Sequence, residues 1–600
     1  MRITSIFYVI VLFSLYSTII NAAPATSAVP TLEKRQEIEQ DPNFNTNIFT
    51  SFKPLEVTAS PITREYTLKL AKAELAPDGF SRQVWTSNDQ YPGPMIRANK
   101  GDQIVIHVQN NLGDFTTIHW HGIFQKGTTF YDGVPGQTQC LIPPGTMFTY
   151  NFTGGEQYET YWWHSNFRSQ YVDGLRGAFI IHDPKDPYLN EYDEEFVMTL
   201  SDWYHINSEQ LVKIRMTPGY QGFNPIPNSG LISGRGRYNC SEVPEGPNVY
   251  QITHWLFILL KKENAIVSVA EAPFTFSIDQ HPLRIIEVEG ENIKPLTLNK
   301  INIAVGQRYS VIVNADKEVN NFWIRATIVR QCIHISPDTI NTNSLIDYNV
   351  TGILRYKGAP DAYPTTQEWE ERILNCSDVD HNLLKLNPPR PPPANPTDNF
   401  TLRITFGNID GIGHALVNGS SFKADLEDPT ANKLMYGGDE TPSMLDPDQN
   451  AFVYDTQNGV VEISLINENI ATHPFHLHGH NFYIMAHGPG TVPDPIQFNL
   501  VDPAIYCNID NPGVWAFHCH IEWHVEMGMV GQLIERPSEL KGDPIPPQVK
   551  SICPLYNDDD NNNNTAKKRS LEVYKNYYKR SDVPNHSRHV GYKFMRGSAY

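Results

Sequence analysis

Four short runs in this 600-residue chain set imidazoles, a thiol and a thioether at spacings suited to holding metal ions: 119-HWHG-122, 164-HSN-166, 473-HPFHLHGH-480 and 518-HCHIEWHVEMGM-529. In an extended strand, side chains two residues apart share a face. His119 and His121, His476 and His478, and His518 and His520 would each present two imidazoles to one side, half a metal site per pair. Cys519 lies between His518 and His520 and faces the other way, so a metal bound to its thiolate would be wired through one strand to a second centre behind it. A lone histidine is more often a hydrogen-bonded bystander than a ligand, but that reading does not cover four clusters. His473, Cys519, His524 and Met529 offer two imidazoles, a thiolate and a thioether, the donor set of a blue-copper electron-transfer site. Zinc is the rival ion. Structural zinc sites rarely use Met, however, and favour paired Cys spacings that this chain lacks, so copper is the expected metal.

Positioning such pairs requires strands, and the chain is rich in them. Runs such as 103-QIVIHVQNNL-112, 284-RIIEVEG-290, 310-SVIVNAD-316 and 460-VVEISLINEN-469 alternate with period two between Gly, Pro, Asn and Asp turn signals, whereas long amphipathic helices are not apparent. The pattern predicts an all-β chain of sandwich or barrel units rather than a parallel α/β sheet. The run 386-LNPPRPPPANPTDN-399 cannot sustain a hydrogen-bonded ladder and reads as a stiff linker before a last domain. Six hundred residues exceed one ordinary core, and 40% hydrophobic with 11% aromatic residues is enough to fill several. The formal charge of −19 argues against nucleic acid as a partner. Residues 567–600 run the other way, with nine Lys or Arg against two acids. Together with 557-NDDDNNNNT-565 they make a tail, 546–600, expected to be largely disordered.

The first residues, MRITSIFYVIVLFSLYSTIINAAPA, put Arg2 before an apolar run that ends at small residues, which predicts a signal peptide over 1–22 and a secreted, extracellular chain. A single membrane anchor is the competing reading; Ser14, Ser17 and Thr18 interrupt the run. Lys34-Arg35 would allow a second cleavage within the segment 23–55. No later segment is apolar for the ~18 to 20 residues that a span needs. Sequons at Asn151, Asn239, Asn349, Asn375, Asn399, Asn418, Asn563 and Asn585 suit an exported glycoprotein. Of seven cysteines, Cys519 is a metal ligand and six are left for disulfides; pairings among Cys240, Cys332, Cys376 and Cys507 cannot be deduced.

Together with 91-YPGPMIRANKGD-102, 130-FYDGVPGQTQC-140, 171-YVDGLRG-177 and 512-PGVWAFHCHIEWH-524, the four clusters resemble the multicopper oxidases, in particular the fungal laccase, ascorbate oxidase and ferroxidase group, over about 60 to 540. The resemblance implies three consecutive cupredoxin-like β-sandwich (Greek-key) domains, here 56–188, 189–385 and, after the linker 386–399, 400–545 with the mononuclear copper. It implies four coppers per chain: a mononuclear one on His473, Cys519, His524 and axial Met529, and a trinuclear cluster. In the cluster His119 and His476 would hold the type 2 ion, His121, His164 and His520 one type 3 ion, and His478 and His518 the other. The family's third ligand to that last ion is a histidine, where this chain has Asn166. An amide oxygen is a weaker copper donor than imidazole. A sequence error, a tolerated replacement, and a paralogue with impaired oxygen reduction are the three readings. Asp132 and Glu522 occupy the positions of the family's proton donors. Asp202 matches the acid that in laccases orients a phenolic hydroxyl beside the imidazole of, here, His524. The implied activity is one-electron oxidation of a small reductant, a phenol first and ascorbate or ferrous iron as alternatives, with reduction of dioxygen to water by a monomer. A copper-binding protein that keeps only the blue site is the non-enzymatic alternative. Cys140 and Cys553 would pair as in ascorbate oxidases. The stretches 251–271 and 481–511 depart from the family pattern, through divergence or an error in the gene model, and the second lacks about one strand.

Overall fold

The computed structural model describes residues 60–238, 262–267, 270–333, 348–371, 378–393, 395–436, 445–469, 471–486, 504–542 and 544–553, with Leu55 and Cys376. The expected signal peptide, nearly all of the segment 23–55, the stretches 251–261 and 487–503, and the tail beyond 553 lie outside the described residues.

The described chain is built almost wholly of strands, arranged in six sheets. In the first sandwich one sheet runs Arg82–Ser87, Thr63–Leu75, Gln103–Asn110, Met147–Thr153 in spatial order; the other runs Ile96–Asn99, Arg176–His182, Glu159–Ser165, Ile118–His121. Gln103–Asn110 shows why: Ile104, Ile106 and Val108 are buried while the residues between them are half-exposed, the alternation of a strand with one face on a core. The second sandwich has a six-stranded sheet, Ser229–Ile232, Glu195–Trp203, Lys262–Val267, Arg308–Ile312, Leu283–Val288, Glu291–Leu298. A four-stranded sheet accompanies it, Lys300–Ile303, Phe274–Ile278, Asn321–Ile328, Asn349–Arg355. The third pairs Ile412–Val417, Asp398–Ile409, Val460–Asn467, Ala504–Asn508, Phe482–Ala486 with Ala451–Tyr454, Val530–Glu535, Gly513–Cys519, Phe475–Leu477.

One topological signature recurs in all three. The first long strand pairs antiparallel with a short neighbour and parallel with a later strand: Thr63–Leu75 with Gln103–Asn110, Glu195–Trp203 with Lys262–Val267, Asp398–Ile409 with Val460–Asn467. The stretch 251–271 therefore retains a strand, Lys262–Val267, at the place the pattern requires. In 481–511 the described strand Phe482–Ala486 lies last in its sheet, with Ile484 and Met485 exposed.

The first residues of the segment 546–600 are ordered: Pro547–Ile552 is helical, Val549 packs with Leu540 and Ile545 into the core of the first sandwich, and Cys553 is bonded to Cys140. The other cysteines divide. Cys332 is bonded to Cys376, while Cys507 is a buried free thiol; Cys240 lies outside the described residues.

Candidate metal centres

Strand register brings the first four imidazoles together in two crossing pairs. Ile118–His121 runs antiparallel to Glu159–Ser165 with His119 opposite His164, and Phe475–Leu477 runs antiparallel to Gly513–Cys519 with His476 opposite His518. The first and third sandwiches meet here: the rings of His121 and His476 stack at 3.8 Å and those of His119 and His478 at 4.0 Å. Ring nitrogens of His119, His121 and His476 lie within 4.8 Å of one another, as do those of His121, His164 and His520. His478 Nε2 is 3.1 Å from His518 Nε2, and His520 Nε2 is 3.3 Å from His121 Nδ1. Two nitrogens bound at about 2.0 Å to one tetrahedral ion stand about 3.3 Å apart, so these separations suit a shared metal.

The unsatisfied atoms make the same point. His119 Nε2, His164 Nε2, His476 Nε2 and His520 Nδ1 are buried without a hydrogen-bond partner. Left so, each would cost about 1–3 kcal/mol; with a metal, the Nε2 atoms become donors. Burial first, and neighbouring imidazoles second, hold His164, His476 and His518 well below the usual histidine range, and bring His520 to about 3 and His478 to about 4. The rings are neutral, which is the ligating form. Copper therefore fits this donor set.

The two expected proton donors have opposite environments. Asp132 is fully buried; His478 Nδ1 donates to its Oδ2 at 2.8 Å and His119 Nδ1 to its backbone oxygen at 2.7 Å. Burial alone would raise its pKa, but His478 and His119 outweigh that and leave it below the usual carboxylate range. Asp132 is therefore ionised, with its carboxylate accepting from His478 and its backbone oxygen from His119, an arrangement that leaves Nε2 of both rings facing away from it. Glu522, in the short helix Glu522–Glu526, is pushed well up by burial and then by Glu526, against a weaker opposing hydrogen bond with Tyr171. Burial thus favours its protonated form, two residues along the chain from His520.

Behind the cluster, Cys519 Sγ is 3.6 Å from His473 Nδ1 and 3.4 Å from His524 Nδ1, and the two Nδ1 atoms are 3.1 Å apart. Met529 is buried in the same core cluster, just before Val530–Glu535, and its backbone oxygen accepts from Cys519 N. His473 Nε2 donates to Asn469 Oδ1 at 3.0 Å, which points Nδ1 toward Cys519 Sγ and His524 Nδ1. Burial pushes the Cys519 thiol up, so without a cation it would not ionise. The last histidine of 473-HPFHLHGH-480, His480, is a bystander as expected of one not in the donor set: it pairs with Glu535 at 3.0 Å.

His524 and His473 open onto a cavity of about 1400 Å³ that extends to His121, His476 and His520. Asp202 does not line it. Its carboxylate is occupied by the amides of Ala270, Glu271 and Ala272 at 2.8, 3.0 and 3.3 Å and by the Tyr204 hydroxyl at 3.1 Å. Four acids line the cavity, Glu271, Glu289, Glu291 and Asp378, and Glu271 is the one on the segment that Asp202 holds. Asn224 Nδ2 stands 2.9 Å from both Glu271 Oε2 and His524 Nε2. Sequence reading missed both residues. Glu271 falls at the end of the atypical stretch 251–271, and Asn224 lies in a Gly/Pro-rich loop with no motif. Asn166 directly follows the strand that carries His164, half-buried, with its backbone N–H donating to Thr117 O at 3.3 Å.

Three family models described as multicopper oxidase match residues 69–186, 194–359 and 421–539. Laccase-1 of Cryptococcus neoformans is 32% identical over 84% of this chain and 86% of its own. Among solved structures, the laccase of Botrytis aclada matches with a TM-score of 0.71 and 31% identity, over 87% of this chain and 93% of the other. Fet3p, described as a multicopper oxidase that functions in iron import, matches with a TM-score of 0.71 and 29% identity, over 82% and 94%. Relatives of this closeness, spanning all three sandwiches and both histidine sites, establish that the chain belongs to the multicopper oxidases, laccase-like oxidoreductases that use oxygen as acceptor.

Proposed function

We propose that the protein is a secreted, monomeric phenol oxidase of laccase type with four coppers, one held by His473, Cys519, His524 and Met529 and three by His119, His121, His164, His476, His478, His518 and His520. Bound copper would supply one-electron redox chemistry, accepting electrons singly and giving them to dioxygen. The observation that carries the reading is the placement of Cys519: its thiol meets His473 and His524 on one side, while its chain neighbours His518 and His520 reach the other cluster. His524 presents its Nε2 edge to the cavity, where a small aromatic reductant can approach.

Glu271, whose carboxyl burial pushes up to about 8, is placed to accept the hydroxyl proton that a phenol releases on oxidation in its ionised form, which gains weight as pH rises toward that value, and Asp202 acts through it by fixing the 270–272 amides. Glu522 holds a proton for oxygen reduction, and Asp132 keeps His119 and His478 aimed. Export is supported by the first 22 residues and by the exposure of the described sequons, Asn151, Asn349, Asn399 and Asn418. No helix among the described residues is long and apolar enough to cross a membrane. Ferrous iron is the second reading, favoured by the likeness to Fet3p. Oxygen uptake with a methoxyphenol and with ferrous iron, compared by kcat/KM, decides: the proposal expects the phenol to be the better substrate, and a higher value for iron reverses it.

A further inference from the structure

Arg215 ends the helix Ser208–Arg215 and forms part of the wall of the cavity onto which His524 opens. It is only 9% exposed, and its Nε is buried without a hydrogen-bond partner. Most arginines buried to a similar degree meet a carboxylate, Arg64 at Asp102, Arg82 at Asp173, Arg308 at Glu289 and Arg355 at Asp361, and Arg176, which does not, gives its guanidinium to the Tyr171 and Val172 carbonyls and the Tyr91 hydroxyl. Arg215 forms no ion pair among the described residues. A helix C-terminus does favour a cation, and the Tyr220 ring lies 5.5 Å from the guanidinium carbon. Neither accepts a hydrogen bond from Nε. A guanidinium left in a cavity wall with no anion is a costly arrangement that a bound anion would relieve.

The surroundings leave room for one. At Gly413 a Cβ would stand 3.1 Å from Arg215 Nη1, so glycine there keeps the group uncovered. The acid nearest in the wall is Glu271, whose charge would act on Arg215. Burial pushes that carboxyl up to about 8, so near neutral pH it is mostly uncharged. In the same cavity wall Phe406 is 41% exposed, with its ring 5.3 Å from the His524 ring, a flat apolar contact for an aromatic substrate.

From this juxtaposition we propose that Arg215 is a specificity-determining residue that binds a carboxylate on the substrate, so that the enzyme prefers phenolic acids, of the hydroxybenzoate or hydroxycinnamate class, over neutral phenols. The hydroxyl end lies toward Asn224 and Glu271, and the carboxylate toward Arg215. The inference rests on the phenol-oxidase reading above.

The test compares a methoxy-substituted 4-hydroxycinnamate with its methyl ester on the copper-loaded enzyme, at a pH where the acid is ionised. A charge-assisted pair of this kind favours the acid by about tenfold in kcat/KM, chiefly through KM. Arg215→Gln abolishes the preference, and Arg215→Lys restores part of it. Calorimetry with 4-methoxycinnamate, which lacks the oxidisable hydroxyl, should show about tenfold weaker binding to Arg215→Gln. Equal efficiency for acid and ester in the unmodified enzyme overturns the proposal, as does an equal loss on both in Arg215→Gln. The acid–ester comparison needs no variant, so a variant that fails to fold leaves the test intact. If neither compound is oxidised, the phenol-oxidase reading fails, and the calorimetry still decides for or against Arg215.

Discussion

Replacing Asp132 by asparagine removes a charge from a fully buried position while keeping the side chain's shape. In the protein its carboxylate accepts from His478 Nδ1 at 2.8 Å, lies 3.2 Å from His119 Nδ1, and is held ionised by those two rings. An amide oxygen can still accept from His478, so the fold should survive. What is lost is the negative charge that makes both imidazoles stronger donors. Removing such a partner costs about 10- to 100-fold in metal affinity, or about 1.4–2.8 kcal/mol. On the proposed ligand assignment His119 and His478 would hold two different ions of the cluster, so copper should leave Asp132→Asn at lower chelator concentration and stop short of the unmodified stoichiometry. The blue absorption should persist, because Asp132 bonds to His478 and His119 and not to His473, Cys519 or His524. The assay is copper content and visible absorption across a chelator series. If the variant retains copper as the unmodified protein does, or loses the blue band first, the role assigned to Asp132 is refuted.

Restoring histidine in Asn166→His should raise copper content toward four per chain and increase oxygen consumption without altering the blue band; unchanged values in a protein already holding four would show asparagine to be a competent substitute. Glu522→Gln should lower oxygen reduction by about 10²-fold or more. Because burial raises the Glu522 pKa, its proton persists above the usual carboxylate range and is lost as pH rises through the folded-state value. The unmodified enzyme should therefore show an alkaline fall in oxygen reduction that the glutamine variant lacks; a fall of equal size in both would remove Glu522 from the proton path. Glu271→Gln should reduce turnover of phenols more than of reductants that release no proton, and equal losses would dismiss Glu271 as the acceptor.

The metal ligands were legible because strand periodicity is local. Two residues of spacing put His518 and His520 on one side and Cys519 on the other whatever the rest of the chain does, and the three-dimensional arrangement follows from register. Long-range partnerships were not legible. Nothing local to Asp202 says that its oxygens are taken by amides 68 to 70 residues away, and that occupation is what transfers the cavity wall to Glu271. The pairing of Cys332 with Cys376 likewise depends on a loop closure that composition does not encode. The helix Pro547–Ile552 was hidden by the polar tail after it, although Val549 and Cys553 anchor it to the first sandwich. Asp132 and Glu522 look alike in sequence, and only burial with two imidazoles or beside a second carboxylate separates the acceptor from the donor.

The measurement closest to the central claim is a visible spectrum of the copper-loaded protein, taken with oxygen uptake on a methoxyphenol, beside the same pair for Cys519→Ser. The account predicts an intense thiolate-to-copper band and phenol-dependent oxygen consumption in the unmodified protein, and loss of both in the variant with the fold retained. A copper-loaded protein without the band, or a Cys519→Ser variant that still consumes oxygen with the phenol, would contradict it.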